Sequence, residues 1–331
     1  MTAWRAPVAH LVGPGVLNIR NGRLVFQPPE QAPLQIDASA LTNLYCYGDV
    51  SISGPAFEVL FRHGVAVAWL SPAGHRCRGR LVHPQATTTL TRLRQHRAIA
   101  RPAVRLQWAQ QLVTAKITAM IHAARHYQRH SHTAAGDLLV ELHAALPRVA
   151  TATALPQLLG FEGATTAAWF RFYATLFRTP WTFHQRTRRP PTDPVNALLS
   201  LGYTLLLQRA QAQAEARGFE IYLGGLHHFR PGRPSLACDL IEPLRVPAVD
   251  RWVVAICNQH ELNPSHFQSD EETGGFRLQP QYFGRIIYSW ETHWAKTSCD
   301  TVLAHWLDQF EQLIQQSGQL PASDDNESDD L

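Results

Sequence analysis

The spacing of hydrophobic residues changes near residue 84 of the chain. Before that point, short apolar runs alternate with turn residues, a pattern that predicts strands. Asn21-Gly22 lies between two such runs and predicts a hairpin, whereas residues 55–63 have the pattern of a helix. The predicted strands are residues 16–19, 24–26, 34–36, 44–47, 65–70 and 78–82.

After residue 84, apolar positions recur with the period of a helix. We therefore expect an α+β protein with two domains. A small β-rich, β-sandwich-like N-terminal domain (residues 1–84) is followed by a linker (85–89), a larger all-α C-terminal domain (90–320) and a disordered acidic tail (321–331). The predicted helices are residues 87–100, 102–129, 134–146, 162–177 and 194–217, with two or three more after residue 235.

Residues 222–245 carry the densest candidate chemistry. His227, Asp239 and Glu242 lie there among apolar residues, and polar groups are costly to bury without a partner. With Ser235 as its N-cap, a helix would place Asp239 and Glu242 on one face, because they are three residues apart. Two carboxylates that close repel each other unless a proton or a cation intervenes. The segment is a candidate metal site, and a solvated helix face is the alternative.

Two other segments also place acidic or polar residues in a predicted apolar helix. Glu162, in the sequence Gly-Phe-Glu-Gly, is expected to open an apolar helix, where a buried carboxylate needs a partner. The segment Asp-Pro-Val-Asn-Ala-Leu-Leu-Ser-Leu-Gly-Tyr, ending at Tyr203, opens a long and mostly apolar helix. Pro243 should end or kink the helix of Glu242, because it lacks the N–H that would bond to the carbonyl of residue 239. Arg245 would then face the same cavity and meet either a phosphate or a nearby acid.

These segments, in this order, resemble the CRISPR-associated integrase-endonucleases of spacer acquisition. The resemblance rests on the Gly-Phe-Glu-Gly sequence, the Asp-Pro-Val-Asn helix start, the Leu-His pair ending at His227 and the run Ser-Leu-Ala-Cys-Asp-Leu-Ile-Glu-Pro-Leu-Arg. It implies a divalent-metal site made by Glu162, His227 and Glu242, with Asp239 as a further candidate ligand. Two carboxylates and one imidazole suit Mg²⁺ or Mn²⁺.

The resemblance also implies a function. It implies a metal-dependent DNA integrase and endonuclease that inserts short duplex DNA into the CRISPR array by attack of a 3′-hydroxyl on a repeat phosphodiester. Such a protein forms a homodimer and assembles with a small CRISPR-associated partner protein, and its helical domain is the catalytic one. Two alternatives are a non-catalytic DNA-binding scaffold and a general metal-dependent nuclease that acts on branched DNA in repair.

The charge distribution is compatible with a polyanionic partner. The net charge is +4, but residues 324–330 hold five acids and no base. Without them, 30 basic residues face 21 acidic ones. Only Lys116 and Lys296 are lysines; arginine binds phosphate in a planar fork, although a GC-rich coding bias would also explain the excess.

Residues 181–189 are the best candidate DNA contact, and a plain solvated loop is the alternative. Arg186, Arg188 and Arg189 would hold phosphates, with Arg245 as a further contact, while Trp181 or Phe183 would stack on a splayed base.

Three histidines, His122, His126 and His130, recur every four residues on a predicted helix. No carboxylate completes a His-Glu-x-x-His motif with them, so we interpret them as a weakly basic, solvated face rather than as metal ligands. No apolar run approaches membrane-spanning length, and the N-terminus lacks the order of a signal peptide. We expect a cytoplasmic protein that makes no membrane contact.

Overall fold

The computed structural model describes residues 7–81, 89–259, 261–269 and 274–318. It confirms the predicted fold class, with a β-rich N-terminal part followed by a mostly helical part. The N-terminal elements are β1 (Val8–Val12), β2 (Gly15–Arg20), β3 (Arg23–Gln27), β4 (Leu34–Ile36), β5 (Asn43–Tyr47), β6 (Val50–Ile52), α1 (Gly54–Arg62), β7 (Ala66–Leu70) and β8 (Cys77–Leu81).

The second part contains nine helices within the described ranges. They are α2 (Thr89–Ile99), α3 (Pro102–His130), α4 (Gly136–Ala150), α5 (Leu155–Ala174), α6 (Pro194–Ala216), α7 (Ser235–Ile241), α8 (Arg251–Asn258), α9 (Pro280–Lys296) and α10 (Cys299–Ser317). This part was predicted to be all-α, and the structure corrects that detail. A short antiparallel pair, β9 (Phe267–Ser269) and β10 (Phe276–Leu278), lies between α8 and α9.

The N-terminal strands form two four-stranded sheets, in the orders β1-β5-β7-β8 and β4-β3-β2-β6. One face of each sheet contributes to a common core that contains Leu11, Leu44 and Val67 from the first sheet and Leu17 and Phe26 from the second. Alternate residues of a strand point to opposite faces, so each sheet contributes one face to this core. Two sheets that pack over one core form a sandwich, and the β-sandwich-like prediction is therefore confirmed.

The opposite face of the first sheet packs against the helices. Tyr45, Tyr47 and Leu70 belong to the large core that also holds the buried residues of α3 and α6. Strand β5 is therefore buried on both faces along its whole length. The predicted boundary and most of the predicted linker fall on residues 82–88, and the acidic tail falls after residue 318, outside the described residues, so the domain limits stay a prediction.

The boundaries of most elements agree with the sequence pattern to within a few residues, with three exceptions. Strands β1 and β6 were not predicted, and β6 has only three residues. Helix α5 begins at Leu155, so Glu162 lies inside a helix and does not open it. Gly160 and Gly163 are residues typical of a loop before a helix. Pro156, however, lies at the start of α5 and favours a helix that begins earlier, so both glycines lie inside the helix.

Polar contacts also join the two parts. His10 of β1 lies with Nε2 2.9 Å from Oε1 of Glu291 on α9, and with Nδ1 2.8 Å from the hydroxyl of Tyr47. Arg209 of α6 donates to both oxygens of Glu291, at 2.6 and 2.5 Å. None of the helices in the described ranges is both long and apolar enough to span a bilayer.

We expect Glu291→Gln to lower the free energy of unfolding by about 3 kcal/mol, because it leaves the buried guanidinium of Arg209 without its counter-charge. Denaturant titration measures this loss. Glu141 is the control, since its ion pair with Arg171 is exposed and Glu141→Gln should cost less than about 1 kcal/mol. Equal losses in the two variants would contradict the assignment of a structural role to Glu291.

Candidate metal centre

Three side chains from distant segments meet in the interior of the helical part. Lys116 of α3 donates through Nζ to Oε1 of Glu162 on α5 and, at 2.6 Å, to Oε2 of Glu242 just after α7. The side chains of Lys116 and Glu242 are only 3% and 4% exposed, so each needs an opposite charge. The structure therefore brings Glu162 and Glu242 together, and it does so around a lysine to which the sequence analysis gave no role.

His227 lies on the loop between α6 and α7, and two glycines let this loop approach its neighbours. A Cβ at Gly224 would lie 2.6 Å from Oδ2 of Asp239, and one at Gly225 would lie 2.7 Å from Cδ1 of Trp108. Because a side chain at either position would clash, only glycine allows the loop to pack between α3 and α7. The Gly-Gly pair thus fixes where His227 enters the site.

Asp239 holds the histidine in place. Its Oδ2 accepts hydrogen bonds from the backbone amides of Gly225 and Leu226, and its Oδ1 accepts from the backbone amide of His227 and contacts Nδ1 of that ring at 2.7 Å. This contact assigns the proton to Nδ1 and leaves Nε2, 3.8 Å from Oε1 of Glu242, with a free lone pair. Asp239 was a further candidate ligand, but the structure places both of its oxygens behind the histidine.

The chain changes its helical type at Pro243, as the sequence predicted. Helix α7 ends at Ile241, a 3₁₀ turn covers Glu242–Leu244, and a π-helical turn covers Arg245–Asp250 before α8 begins. Proline cannot donate to the carbonyl of residue 239, so the α-helical pattern stops there. This turn directs the side chains of both Glu242 and Arg245 toward the centre.

Arg245 meets an acid, which was one of the two predicted alternatives. Its Nη1 lies 3.2 Å from Oε1 of Glu242, and its guanidinium lies 4.3 Å from the ring centre of Tyr203. Burial alone would raise the pKa of Glu242, but the positive charges of Arg245 and Lys116 outweigh burial and hold this pKa below its usual range. The carboxylate of Glu242 therefore remains ionised at neutral pH.

Two residues of the predicted DNA loop have structural roles instead. Trp181 and Phe183 are buried, at 6% and 5% exposure, so the prediction that either ring stacks on a base is wrong. Their rings pack against Phe267 and Tyr173, respectively. Large apolar rings gain more from the core than from a solvated loop.

The arginines of this loop differ from one another. Arg186 donates to Oδ1 of Asn196 at 2.8 Å and to Oγ of Ser200 at 3.1 Å, which ties the loop to α6. Arg188 and Arg189 are exposed. Partial burial and the neighbouring Arg245 lower the pKa of Arg188, while Glu242 and Glu162 oppose that shift. Arg188 therefore lies within electrostatic range of the centre.

Two residues near the centre were missed by the sequence analysis. Lys116 lies in an apolar part of α3. The only feature of the sequence that marks it is that it is one of two lysines in the chain. Phe229, two residues after His227, is 50% exposed, with the guanidinium of Arg105 4.8 Å from its ring centre. It is the one aromatic residue in the Gly/Pro/Arg-rich stretch of this loop.

The side chains of Glu162, Glu242 and His227 are of the types that bind a divalent cation. Two carboxylates and the Nε2 of a neutral imidazole are ligands that Mg²⁺ and Mn²⁺ accept. In the described ranges, no group of three or more His, Cys, Asp and Glu side chains is arranged to hold a metal ion directly, and here Lys116 lies between the two glutamates. A separate groove of about 940 Å³ between α3 and α10 includes neither Lys116 nor the three predicted ligands.

Fold and site together define a protein whose helical part contains a centre of acidic residues and one histidine. Comparisons with known proteins show the family to which it belongs. The sequence pattern of the family described as CRISPR associated protein Cas1 matches residues 10–292. The chain is 33% identical over 285 residues to a CRISPR-associated endonuclease Cas1 of Thermus thermophilus, covering 85% of each protein. The chain therefore belongs to the Cas1 family, and the resemblance found in the sequence is confirmed.

Solved structures share its fold. A casposase bound to an integration product superposes with a TM-score of 0.81 at 19% identity, over 96% of this chain and 92% of the other. A Cas6-RT-Cas1–Cas2 complex contains a chain that superposes with a TM-score of 0.80 at 24% identity, over 95% of this chain and 36% of that one. At these identities the likeness shows the fold alone.

Asp239→Ala tests how His227 is held. It removes the acceptor of the His227 Nδ1 proton and of three backbone amides, so we expect a loss of about 3 kcal/mol in unfolding free energy and a shift of the His227 proton toward Nε2. Denaturant titration and ¹⁵N NMR of the imidazole measure the two effects. The exposed Asp137 is the control, and Asp137→Ala should change the unfolding free energy by less than about 1 kcal/mol and leave the tautomer of His227 unchanged. An unchanged tautomer in Asp239→Ala would refute the positioning role.

Proposed function

We propose that this Cas1-family chain is a metal-dependent DNA integrase and endonuclease of CRISPR adaptation, which inserts short duplex fragments as new spacers. The observation that supports the proposal most is the meeting of Glu162, Glu242 and Nε2 of His227. These groups come from segments up to 80 residues apart in the sequence, and their burial without a function would be costly.

The proposed ligands are one oxygen of Glu162, one oxygen of Glu242 and Nε2 of His227. A bound Mg²⁺ or Mn²⁺ would polarise the scissile phosphodiester and stabilise charge on the attacking and leaving oxygens. Asp239 keeps the histidine in the tautomer whose Nε2 can bind a cation. Arg245 keeps Glu242 ionised and close to that nitrogen.

The chain supplies no covalent nucleophile in this proposal, because a DNA 3′-hydroxyl or water attacks the phosphorus. Its own residues orient the strand. Arg188 is exposed, makes no hydrogen bond or ion pair within the described ranges, and lies near Arg245, so these two guanidinium groups are suited to hold phosphates that flank the reacting one. Arg189 is a further candidate phosphate contact, and Arg186 ties the loop to α6.

Phe229 takes the place of Trp181 and Phe183 as the stacking candidate. Its exposed ring stands two residues from His227 and is flanked by Arg105 and Arg230. A base splayed from the end of a duplex can stack on such a ring while its phosphate meets an arginine.

The proposal includes a homodimer bound to double-stranded DNA and to a small partner of the Cas2 type, acting in the cytoplasm where the CRISPR array is located. It draws on the structural neighbours, since one is a casposase bound to an integration product and another is a Cas6-RT-Cas1–Cas2 complex. A scaffold without catalysis and a repair nuclease remain the competing functions, and the next experiment separates them.

We expect Glu162→Gln to reduce Mn²⁺-dependent strand transfer into a repeat-containing duplex by at least about 10²-fold, because it removes a charged ligand while the shape of the side chain is kept. Gel assays with and without Mn²⁺ measure the rate. Glu141→Gln on α4 is the matched control and should retain full activity. Equal strand transfer by Glu162→Gln and the control, or strand transfer by the wild type in EDTA, would contradict the proposed metal site. Binding of DNA by the wild type without any strand transfer in Mn²⁺ would favour the scaffold, and cleavage of branched DNA without any strand transfer would favour the repair nuclease.

Arg188→Ala tests the phosphate contact. We expect about tenfold weaker binding of duplex DNA at low salt, and a plot of log Kd against log salt concentration whose slope falls by about one. Arg171→Ala is the control, because Arg171 lies nine residues after Glu162 on α5, which places it on the opposite face of that helix. An identical salt slope in wild type and Arg188→Ala would remove Arg188 from the interface.

A further inference from the structure

Lys116 divides the oxygens of the two glutamates into two sets. Its ammonium group binds Oε1 of Glu162 and Oε2 of Glu242. The other oxygen of Glu242, Oε1, faces Arg245 and Nε2 of His227. The other oxygen of Glu162, Oε2, accepts no hydrogen bond from the described residues. Lys116 thus binds each carboxylate through one oxygen only, and the second oxygen of each lies on a side that Lys116 does not occupy.

We infer that Lys116 is a positioning residue that acts as an internal counter-ion for the two glutamates. It keeps the carboxylates together when no divalent cation is bound and leaves one oxygen of each for that cation. This inference rests on the proposed metal site and goes beyond it, because it assigns a role to a residue outside the ligand set.

The charges of the centre give Lys116 a second effect. Glu162, Asp239 and Glu242 contribute three negative charges, whereas Lys116 and Arg245 contribute two positive ones. These directly contacting side chains therefore carry one net negative charge with His227 neutral; Asp250 and Arg188, one acid and one base, lie within electrostatic range of them. A divalent cation changes this to one net positive charge, which one phosphodiester group neutralises. Lys116 thus limits how strongly the site attracts a cation and leaves charge for the DNA.

Loss of Lys116 should then have two opposite consequences. Without a metal, two buried carboxylates face each other with less counter-charge, so the fold is less stable. With a metal, the same carboxylates attract the cation more strongly, because a neighbouring positive charge is gone. A residue that only filled space in α3 would produce the first effect without the second.

The chain offers a close set of variants for this test. Lys116→Met removes the charge and keeps most of the side-chain length, and Lys116→Arg keeps the charge. The only other lysine, Lys296, is exposed near the end of α9, so Lys296→Met removes the same charge from the surface. Thermal unfolding of the full chain is followed in EDTA and at increasing MnCl₂, and Mn²⁺ binding is measured separately from the EPR signal of the free ion.

In EDTA we expect Lys116→Met to unfold several degrees below the wild type and Lys296→Met to match it. The Mn²⁺ concentration for half-maximal binding should fall by about tenfold or more in Lys116→Met and stay unchanged in Lys296→Met. Lys116→Arg should stay closer to the wild type in Mn²⁺ affinity than Lys116→Met does. Equal or weaker Mn²⁺ binding by Lys116→Met overturns the inference while leaving the metal site in place; a wild type that binds no Mn²⁺ overturns both.

A double variant covers the case in which Lys116→Met does not fold in EDTA. Lys116→Met with Glu162→Gln removes one charge of each sign and keeps the net charge of the wild type, so it should unfold in EDTA at a clearly higher temperature than Lys116→Met alone. If the double variant unfolds as readily as Lys116→Met, then Lys116 stabilises the fold by packing and the counter-ion role is refuted.

Discussion

Charge balance in a buried centre is the constraint on which the rest of this structure depends. Glu242 and Lys116 are almost completely buried, and Glu162 is largely so. Ions in such a place are tolerated only when each has an opposite charge within contact distance. The contacts of Lys116 with both glutamates and of Arg245 with Glu242 satisfy that requirement, and they fix the relative positions of α3, α5 and the turn after α7.

The fold around the centre can be understood as support for these contacts. The Gly-Gly pair at residues 224–225 brings the loop of His227 against α7, where Asp239 binds the imidazole. Pro243 ends α7 at the point that turns Glu242 and Arg245 inward. On the N-terminal side, the sheet that contains β5 packs onto the helices, and the contacts of Glu291 with His10 and Arg209 join the two parts. The β-rich part is therefore a packing partner of the helical part as well as a separate sandwich.

Much of this could be predicted from the sequence, for reasons that particular residues make clear. Period-two and helical patterns predicted most strands and helices, and four short motifs predicted the family and the residues that meet at the centre. The helical position of Glu162 was missed because two nearby glycines imitate a turn. The burial of Trp181 and Phe183 was missed because neighbouring arginines suggested a solvated loop. Lys116 was missed because a single residue in a helix has no local pattern that shows which side chains it will meet across more than 40 residues of chain.

The central claim is that Glu162, His227 and Glu242 bind one divalent cation. The most direct measurement is anomalous X-ray scattering from crystals of the chain grown with MnCl₂, collected on both sides of the manganese absorption edge. Our account predicts a manganese peak that is bonded to all three side chains. Absence of a peak at this place, or a peak bonded to other residues while these three keep their contacts with Lys116, Arg245 and Asp239, would contradict it.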